Sequence, residues 1–331
     1  MAITALKCPN CAAPVPASRA RTVVCAYCGH VLTGVPRVDV SDASERPEDE
    51  GRPRVAVGDA RFVLEGRLGV GDGCDVFLGR RDARLTERVV LKVLRARSDA
   101  DLVTREWRAL EAIAASDAQG ADYFRTLLPQ GVTHGRLVGP GAAEVPVNVY
   151  RWRSGFVHTL DDVRARYPEG VDPRAAVWMW KRLLEGLGWV HRAGHVHGAV
   201  LPRHLLIHAR DHGVVLVGWS SAARSGAALP AVSAGARAFY PDDAWAGRAV
   251  TPATDLTMGA RSVLSALGGD VARGEVPRGV PEPLAELLSV YVDPSARGRS
   301  DDAWELMKRV SEAGKRAFGP ARFVPFEMPG W

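Results

Sequence analysis

The chain lacks both a long hydrophobic run and a dense run of one charge. No stretch carries about 18 uninterrupted apolar residues, and the opening MAITALKC has neither the apolar centre nor the small-residue cleavage site of a secretory signal. These absences predict a cytoplasmic protein with no membrane partner. The formal charge is +5 over 331 residues, and Lys and Arg form no continuous basic stripe. Nucleic acid is therefore not the expected partner, and we expect protein partners instead.

Cysteine is also scarce, and its placement is uneven. The chain has five cysteines, and four of them form two C-x-x-C pairs within the first 28 residues: Cys8, Cys11, Cys25 and Cys28. In a cytoplasmic protein such pairs indicate metal rather than disulfides, and tetrahedral zinc takes four thiolates. A redox C-x-x-C occurs once and within a βαβ unit, which is absent here. The sequence predicts a structural zinc site.

Composition divides the amino-terminal part of the chain into two zones. Residues 1–35 are predicted to form a zinc ribbon and resemble the small ribbons that precede many bacterial proteins. Residues 36–57 are rich in Asp, Glu, Ser and Pro and have few large apolar residues, which predicts an acidic flexible linker. Because Lys7, Arg19 and Arg21 face no acidic residue in the ribbon, an adaptor that binds nucleic acid or protein through the ribbon is one alternative function.

The remainder of the chain changes from strand-like to helix-like patterns. Between residues 58 and 153, short β-rich runs surround one helical candidate near residues 101–115. From Pro173 onward, apolar residues recur at three- and four-residue spacing. We therefore predict an α+β protein with a small β-rich lobe (58–153), a large α-rich lobe (154–320) and a C-terminal tail (321–331).

A glycine-rich loop and a lysine are spaced as in a nucleotide-binding lobe. Gly69 and Gly71 open the loop, Val76 follows it, and Lys92 lies in the β-run VVLKV farther along. This order resembles the nucleotide loop and the V-A-I-K strand of protein kinases, in which loop amides cover phosphates and the lysine pairs with them. The resemblance implies a bilobal protein-kinase-like fold in which these four residues bind nucleotide.

The helical candidate offers a partner for the lysine. Glu106 resembles the glutamate that forms an ion pair with the lysine in this family, and Glu111 is the alternative. The pair either contributes to a nucleotide site or only braces the lobes. The loop departs from the family pattern, because Gly73 replaces an aromatic tip and Cys74 replaces the third glycine. With no base identifiable near it, Cys74 is predicted to fill space rather than react.

A second segment resembles the kinase catalytic loop but lacks its polar residues. The family pattern is H-R-D-L-x-x-x-N, followed by D-F-G, in which the first Asp positions the hydroxyl and the Asn and second Asp bind Mg. Here His197 is kept, but Ala199, His204 and Gly218 stand at the three polar positions. Alanine accepts no proton, glycine has no side chain, and imidazole is a poor ligand for Mg. We therefore predict no catalytic residue.

Later landmarks of the same family follow in order. Tyr240-Pro241-Asp242 resembles the A-P-E element, and Asp255 resembles the buried aspartate of the large lobe. Arg297 resembles the arginine that pairs with the A-P-E carboxylate, so an ion pair between Asp242 and Arg297 is expected. The resemblance extends from about residue 60 to about residue 318.

The sequence thus predicts a bacterial pseudokinase that acts as a signalling scaffold or allosteric regulator. Its cofactors would be structural zinc and, if the site is used, ATP held without Mg. One alternative is a divergent active kinase in which Asp211, Asp242 or Asp243 replaces the missing carboxylates. The sequence does not specify an oligomeric state.

Overall fold

The computed structural model describes residues 13, 22–24, 31–33, 51–84, 86–96, 99–117, 120–139 and 144–329. Near the amino terminus, strand β1 (Thr22–Val24) pairs antiparallel with β2 (Val31–Thr33). Most of the predicted linker lies outside the described residues. So do all four predicted zinc ligands: Cys8, Cys11, Cys25 and Cys28.

Six antiparallel strands form a closed barrel with its own hydrophobic core. Around the barrel the order is β3-β4-β5-β6-β8-β7. The core consists mainly of β-branched and aromatic side chains that alternate along the strands, and closure leaves the sheet without an open edge. The strands are β3 (Arg54–Val57), β4 (Ala60–Val70), β5 (Cys74–Arg81), β6 (Arg88–Leu94), β7 (Gly131–Val138) and β8 (Val145–Arg151).

Strand β3 corrects the predicted linker, which was expected to continue to residue 57. Residues Arg54–Val57 instead pair with β4 on one side and with β7 on the other, where Val57 lies opposite Leu137. Val55 and Val57 are buried in the barrel. In this short run, buried apolar side chains alternate with exposed or half-buried ones, which is a strand pattern. The prediction missed it because the residues before it have the acidic composition of a linker.

Two helices interrupt the barrel strands between β6 and β7. Helix α1 (Ala100–Ala114) matches the predicted helical segment, and α2 (Ala121–Arg125) is a short addition. The buried residues of α1 recur at three- and four-residue intervals, as expected for an amphipathic helix: Val103, Glu106, Leu110 and Ile113. Cys74 packs with Leu94 and Val103 beneath this helix, as predicted for a space-filling residue.

The rest of the chain is mostly helical. A three-stranded sheet has the order β12-β11-β9, and β10 pairs with β13. Asp172 and Asp302 cap two of the long helices by accepting backbone N–H groups. The elements are β9 (His158–Thr159), α3 (Leu160–Arg166), α4 (Pro173–Arg192), β10 (His195–Val196), β11 (Leu205–His208), β12 (Gly213–Leu216), β13 (Ala223–Arg224), α5 (Asp242–Trp245), α6 (Pro252–Ala266), α7 (Glu282–Val292) and α8 (Ala303–Phe318).

Helices α4, α6, α7 and α8 surround the larger core. Its largest fully buried side chains include Trp180, Trp189 and Tyr291. These four helices coincide with the segments whose periodicity predicted helix. Within the described residues, no helix is both long and apolar enough to cross a membrane. The described chain is therefore a mixed structure in which a barrel precedes a helical region.

Candidate functional site

The ion pair predicted from the sequence is present between the barrel and α1. Lys92 on β6 donates to Glu106 on α1, with 2.6 Å between Nζ and Oε2. Val76 lies opposite Lys92 on the neighbouring strand β5. Glu111, the alternative partner, instead accepts a hydrogen bond from Trp107 Nε1 at 2.7 Å on the exposed side of the helix. The choice of Glu106 is confirmed.

Glu106 also holds the turn that follows β12. Its Oε1 accepts the backbone N–H of Trp219 at 3.2 Å, and its Oε2 lies 3.5 Å from Ser220 Oγ. Lys92 Nζ is 3.4 Å from the same hydroxyl. Burial alone would lower the pKa of Lys92, but the adjacent Glu106 carboxylate holds this pKa above its usual value. A charged pair therefore joins β6, α1 and the 219–220 turn.

A buried carboxylate fixes the segment that resembles the catalytic loop. Asp255 on α6 is fully buried and accepts the backbone N–H of His197 at 2.7 Å and that of Gly198 at 2.8 Å. His191 at the end of α4 donates to the same carboxylate at 3.0 Å. The prediction of a buried aspartate at residue 255 is confirmed. These bonds define the path of the loop backbone.

His197 acts as a neutral brace within this loop. Its Nε2 donates to the carbonyl of Val217 at 3.2 Å, and its Nδ1 accepts the N–H of Ala199 at 3.2 Å. The ring packs edge-on against Trp219 at 4.5 Å. Burial lowers the pKa of His197 to about 3. A ring that is neutral and bonded on both sides is not available as a general acid.

The residues at the three polar positions of the motif, Ala199, His204 and Gly218, adjoin one another and contribute no carboxylate. Ala199 is buried, and its carbonyl accepts a hydrogen bond from His204 Nδ1 at 2.8 Å. Burial lowers the pKa of His204 to about 4. Gly218 has φ +83°, and a Cβ there would lie 2.6 Å from His204 Cδ2. The imidazole therefore occupies the space that a side chain at residue 218 would need.

The glycine-rich loop is the hairpin turn between β4 and β5. Gly69 lies opposite Val76, and Gly71 N donates to Cys74 O at 2.8 Å. A Cβ at Gly69 would meet nothing within 4 Å, and one at Gly71 would be 3.5 Å from the nearest atom. Neither glycine has positive φ. Local folding does not require glycine here, whereas close approach of a ligand to the loop backbone would favour it.

Sequence reasoning missed one contact across this site, which we name the Asp72 bridge. The Asp72 carboxylate, at the tip of the glycine loop, accepts from Arg203 Nη1 at 2.7 Å and from Ser233 Oγ at 2.6 Å. Arg95 also donates to the carbonyl of Asp72, at 2.6 Å. Asp72 thus ties the loop to two distant segments. An acidic residue flanked by glycines in the loop was the only signal of this contact.

The predicted ion pair between Asp242 and Arg297 is wrong. Arg237, five residues earlier, donates to Asp242, and Arg297 is exposed. The short helical segment Ala234–Phe239 places Arg237 beside the carboxylate. Arg261 on α6 supports the same region through backbone atoms and donates to the carbonyl of Tyr240 at 2.8 Å. Sequence order alone did not reveal the nearer arginine.

The carboxylates considered as catalytic replacements have partners elsewhere. Asp211 is 3.0 Å from Arg210 Nε in the turn between β11 and β12. Asp242 pairs with Arg237, and Asp243 pairs with Arg248 on the protein surface. None of these three pairs involves Lys92 or the glycine loop.

Comparison with protein-family models and with curated proteins gives no match for this chain. Within the described residues, no group of three or more His, Cys, Asp or Glu side chains is arranged to hold a metal ion. A functional assignment therefore depends on the site geometry and on the sequence pattern.

We expect Glu106→Ala to lower the free energy of unfolding by about 3 kcal/mol, because it leaves a buried lysine unpaired. Lys92 is 18% exposed, which favours the lower end of the usual range. Urea denaturation followed by tryptophan fluorescence measures the change. Glu111→Ala on the same helix is the matched control and should cost less than about 1 kcal/mol. Equal losses in the two variants would contradict the central role of Glu106.

Acid should destabilise the fold through His197 and His204. Their folded pKa values of about 3 and about 4 lie below the unfolded value of about 6.5. Between these values the unfolded chain binds protons that the folded chain does not, so stability falls as pH falls. From pH 7 to pH 5 we expect a loss of about 1 to 2 kcal/mol per histidine. Urea denaturation at both pH values should show a smaller loss for His204→Gln, and an unchanged loss would refute this assignment.

Proposed function

We propose that the chain is a protein-kinase-like pseudokinase, which keeps the assembled framework of a kinase cleft without its phosphoryl-transfer groups. In this assignment the barrel with α1 corresponds to the small lobe, and the helical region corresponds to the large lobe. We further propose that the protein works as a signalling scaffold or allosteric regulator.

The observation that carries the proposal is the ion pair between Lys92 and Glu106. In protein kinases a strand lysine and a helix glutamate must pair for the site to be in place. Here Lys92 lies on strand β6 and Glu106 on helix α1, with 2.6 Å between Nζ and Oε2. The contact of Glu106 with the 219–220 turn, and the anchoring of the 197–198 backbone by Asp255, support the same assignment. These contacts involve five parts of the sequence, near residues 92, 106, 197, 219 and 255, and they support the assignment.

The chemistry of the site argues against phosphoryl transfer. Transfer in this fold depends on positioning the hydroxyl and on metal ions that neutralise developing charge. Ala199 and Gly218 provide neither function, and His204 is half-buried and neutral. The contact between His204 and Gly218 also means that restoring an aspartate at residue 218 would require the imidazole to move.

Nucleotide binding without Mg remains compatible with the cleft. Lys92 supplies a positive charge, and Val76, which lies opposite it on β5, is a half-buried apolar side chain. The Asp72 bridge opposes binding in two ways, because it holds the glycine loop against Arg203 and adds a negative charge where phosphates would lie. We therefore propose that affinity for nucleotide is weak and is limited by Asp72.

Isothermal titration with ATP tests this proposal, in Mg-containing and Mg-free buffer. We expect weak or undetectable binding to the wild-type chain and at least tenfold tighter binding to Asp72→Ala, equally in both buffers. Asp75→Ala on the same hairpin removes one negative charge without a bridge and is the matched control. We also expect no transfer of phosphate to protein substrates.

Two outcomes would contradict these expectations in different ways. Saturable binding that requires Mg, together with phosphotransfer lost in Lys92→Ala, would establish an active enzyme and sink the pseudokinase proposal. If neither the wild-type chain nor Asp72→Ala binds ATP, the nucleotide role fails and a scaffold role alone remains.

We also propose that the amino-terminal cysteines bind one structural zinc ion. Four thiolates in two C-x-x-C pairs match the ligand set and number of a closed zinc site. Elemental analysis of the purified chain should give one zinc per molecule, and Cys8→Ser or Cys25→Ser should greatly reduce that content. Cys74→Ser is the matched control and should retain the metal. Equal zinc content in all variants would disprove the assignment.

A further inference from the structure

The segment after α8 lies back across the helical region. We call residues 321–329 the C-terminal segment. Gly319, with φ +77°, ends α8 and changes the chain direction. Phe323, Phe326 and Met328 are half-buried, whereas the intervening residues are exposed, with Val324 at 40%. Phe323, Phe326 and Met328 are therefore the anchors of the segment, which has no continuous buried face.

The anchors enter an aromatic groove. Trp178 on α4 stacks on His212 with a ring separation of 4.3 Å, and Phe323 stacks on the other side of His212 at 4.3 Å. Phe326 stacks on Tyr167 at 5.4 Å and meets Trp178 edge-on at 5.8 Å. Aromatic pairs at these separations add to the free energy of burial. Two phenylalanines thus occupy two adjoining aromatic positions.

The polar contacts of the groove recognise backbone rather than side chains of the segment. Tyr167 Oη donates to the carbonyl of Glu327 at 2.7 Å. His158 Nε2 lies 3.0 Å from the carbonyl of Pro329, to which it donates. Any extended chain offers such carbonyls. The sequence of a segment that binds the groove is therefore restricted at the two positions that Phe323 and Phe326 occupy.

The groove residue His212 has an unusual backbone conformation. Its φ is +52°, and it is the only non-glycine residue with positive φ in the described part of the chain. The side chain is 1% exposed. A strained backbone of this kind is unfavourable and persists where the surroundings require it. Here it places the imidazole between Trp178 and the segment.

We propose that this groove is a peptide-binding site for an extended segment of a partner protein that carries two phenylalanines three residues apart. The C-terminal segment occupies the groove in the same molecule and competes with that partner. Pro325 between the two rings restricts the free segment, which lowers the entropy cost of docking. A tethered competitor has an effective concentration in the millimolar range, so a partner must bind tightly or the segment must be released. The proposal does not depend on the pseudokinase assignment.

Fluorescence anisotropy with a labelled peptide of residues 320–329 tests the proposal on the full-length chain. Phe323→Ala/Phe326→Ala, which frees the groove, should bind the peptide saturably. The wild-type chain should bind at least tenfold more weakly, because its own segment fills the site. A peptide with both phenylalanines replaced by alanine should not bind saturably. Phe326→Ala alone, which keeps Phe323, serves as a second groove-opening variant.

Groove variants locate the binding. Tyr167→Phe, added to the double variant, should weaken peptide binding about three- to tenfold through loss of one hydrogen bond. Tyr123→Phe removes a hydroxyl that donates to Glu185 at 2.9 Å and, as matched control, should leave binding unchanged. If groove-opened variants with native circular dichroism fail to bind, or bind both peptides equally, the proposal is overturned.

A second copy of the chain is the other source of the same segment. Concentration-dependent dimers of the wild-type chain that disappear in Phe323→Ala/Phe326→Ala would support the groove and identify its occupant as the segment of a second molecule. Multi-angle light scattering over a range of concentrations measures this. Dimers that persist unchanged in the double variant, together with absent peptide binding, would refute the groove as a docking site.

Discussion

The Glu106 carboxylate is the constraint on which the arrangement of the barrel, α1 and the 219–220 turn depends. It is almost completely buried, so its charge needs compensation from nearby donors. Lys92 supplies that charge from the barrel, and the Trp219 amide supplies a hydrogen bond from the helical region. Because each donor belongs to a different part of the chain, moving any one of them would leave a buried charged group unsatisfied. One side chain therefore couples the barrel, α1 and the 219–220 turn.

Packing and hydrogen bonds hold the segments around Ala199, His204 and Gly218. His204 fills the space beside Gly218 and donates a hydrogen bond to the carbonyl of Ala199. His197 donates a hydrogen bond to the carbonyl of Val217. Residues 204 and 218 are mutually dependent, because a Cβ at residue 218 would lie 2.6 Å from the His204 imidazole, which would have to move. In the proposed pseudokinase, loss of metal ligands is thus compensated by buried hydrogen bonds that keep the backbone in place.

Local sequence patterns predicted the features that depend on residues close to one another in the chain. The long helices and most barrel strands followed from periodicity, whereas the pairing of Lys92 with Glu106 was implied by the resemblance of the motifs to those of protein kinases. Strand β3 was missed because Arg54–Val57 is too short to oppose the composition of the linker before it, and it is stabilised by pairing with β4 and with the distant strand β7. The Asp72 bridge joins residues 131 and 161 positions apart, and no local pattern specifies such contacts. The ion pair expected between Asp242 and Arg297 failed for the related reason that a nearer arginine was available.

The two faces of the helical region illustrate different uses of buried polar groups. Toward the barrel, donors and acceptors are largely satisfied within the fold, as the bonds of Asp255 and His197 show. Toward the C-terminal segment, Tyr167 and His158 direct their donors to carbonyls of an extended chain, and the aromatic rings accept two side chains from it. Hydrogen bonds within the fold, such as those of Asp255 and His197, re-form only when the whole domain refolds. Those that Tyr167 and His158 make with the C-terminal segment can be exchanged for equivalent ones with another chain, which makes the groove the better candidate for communication with a partner.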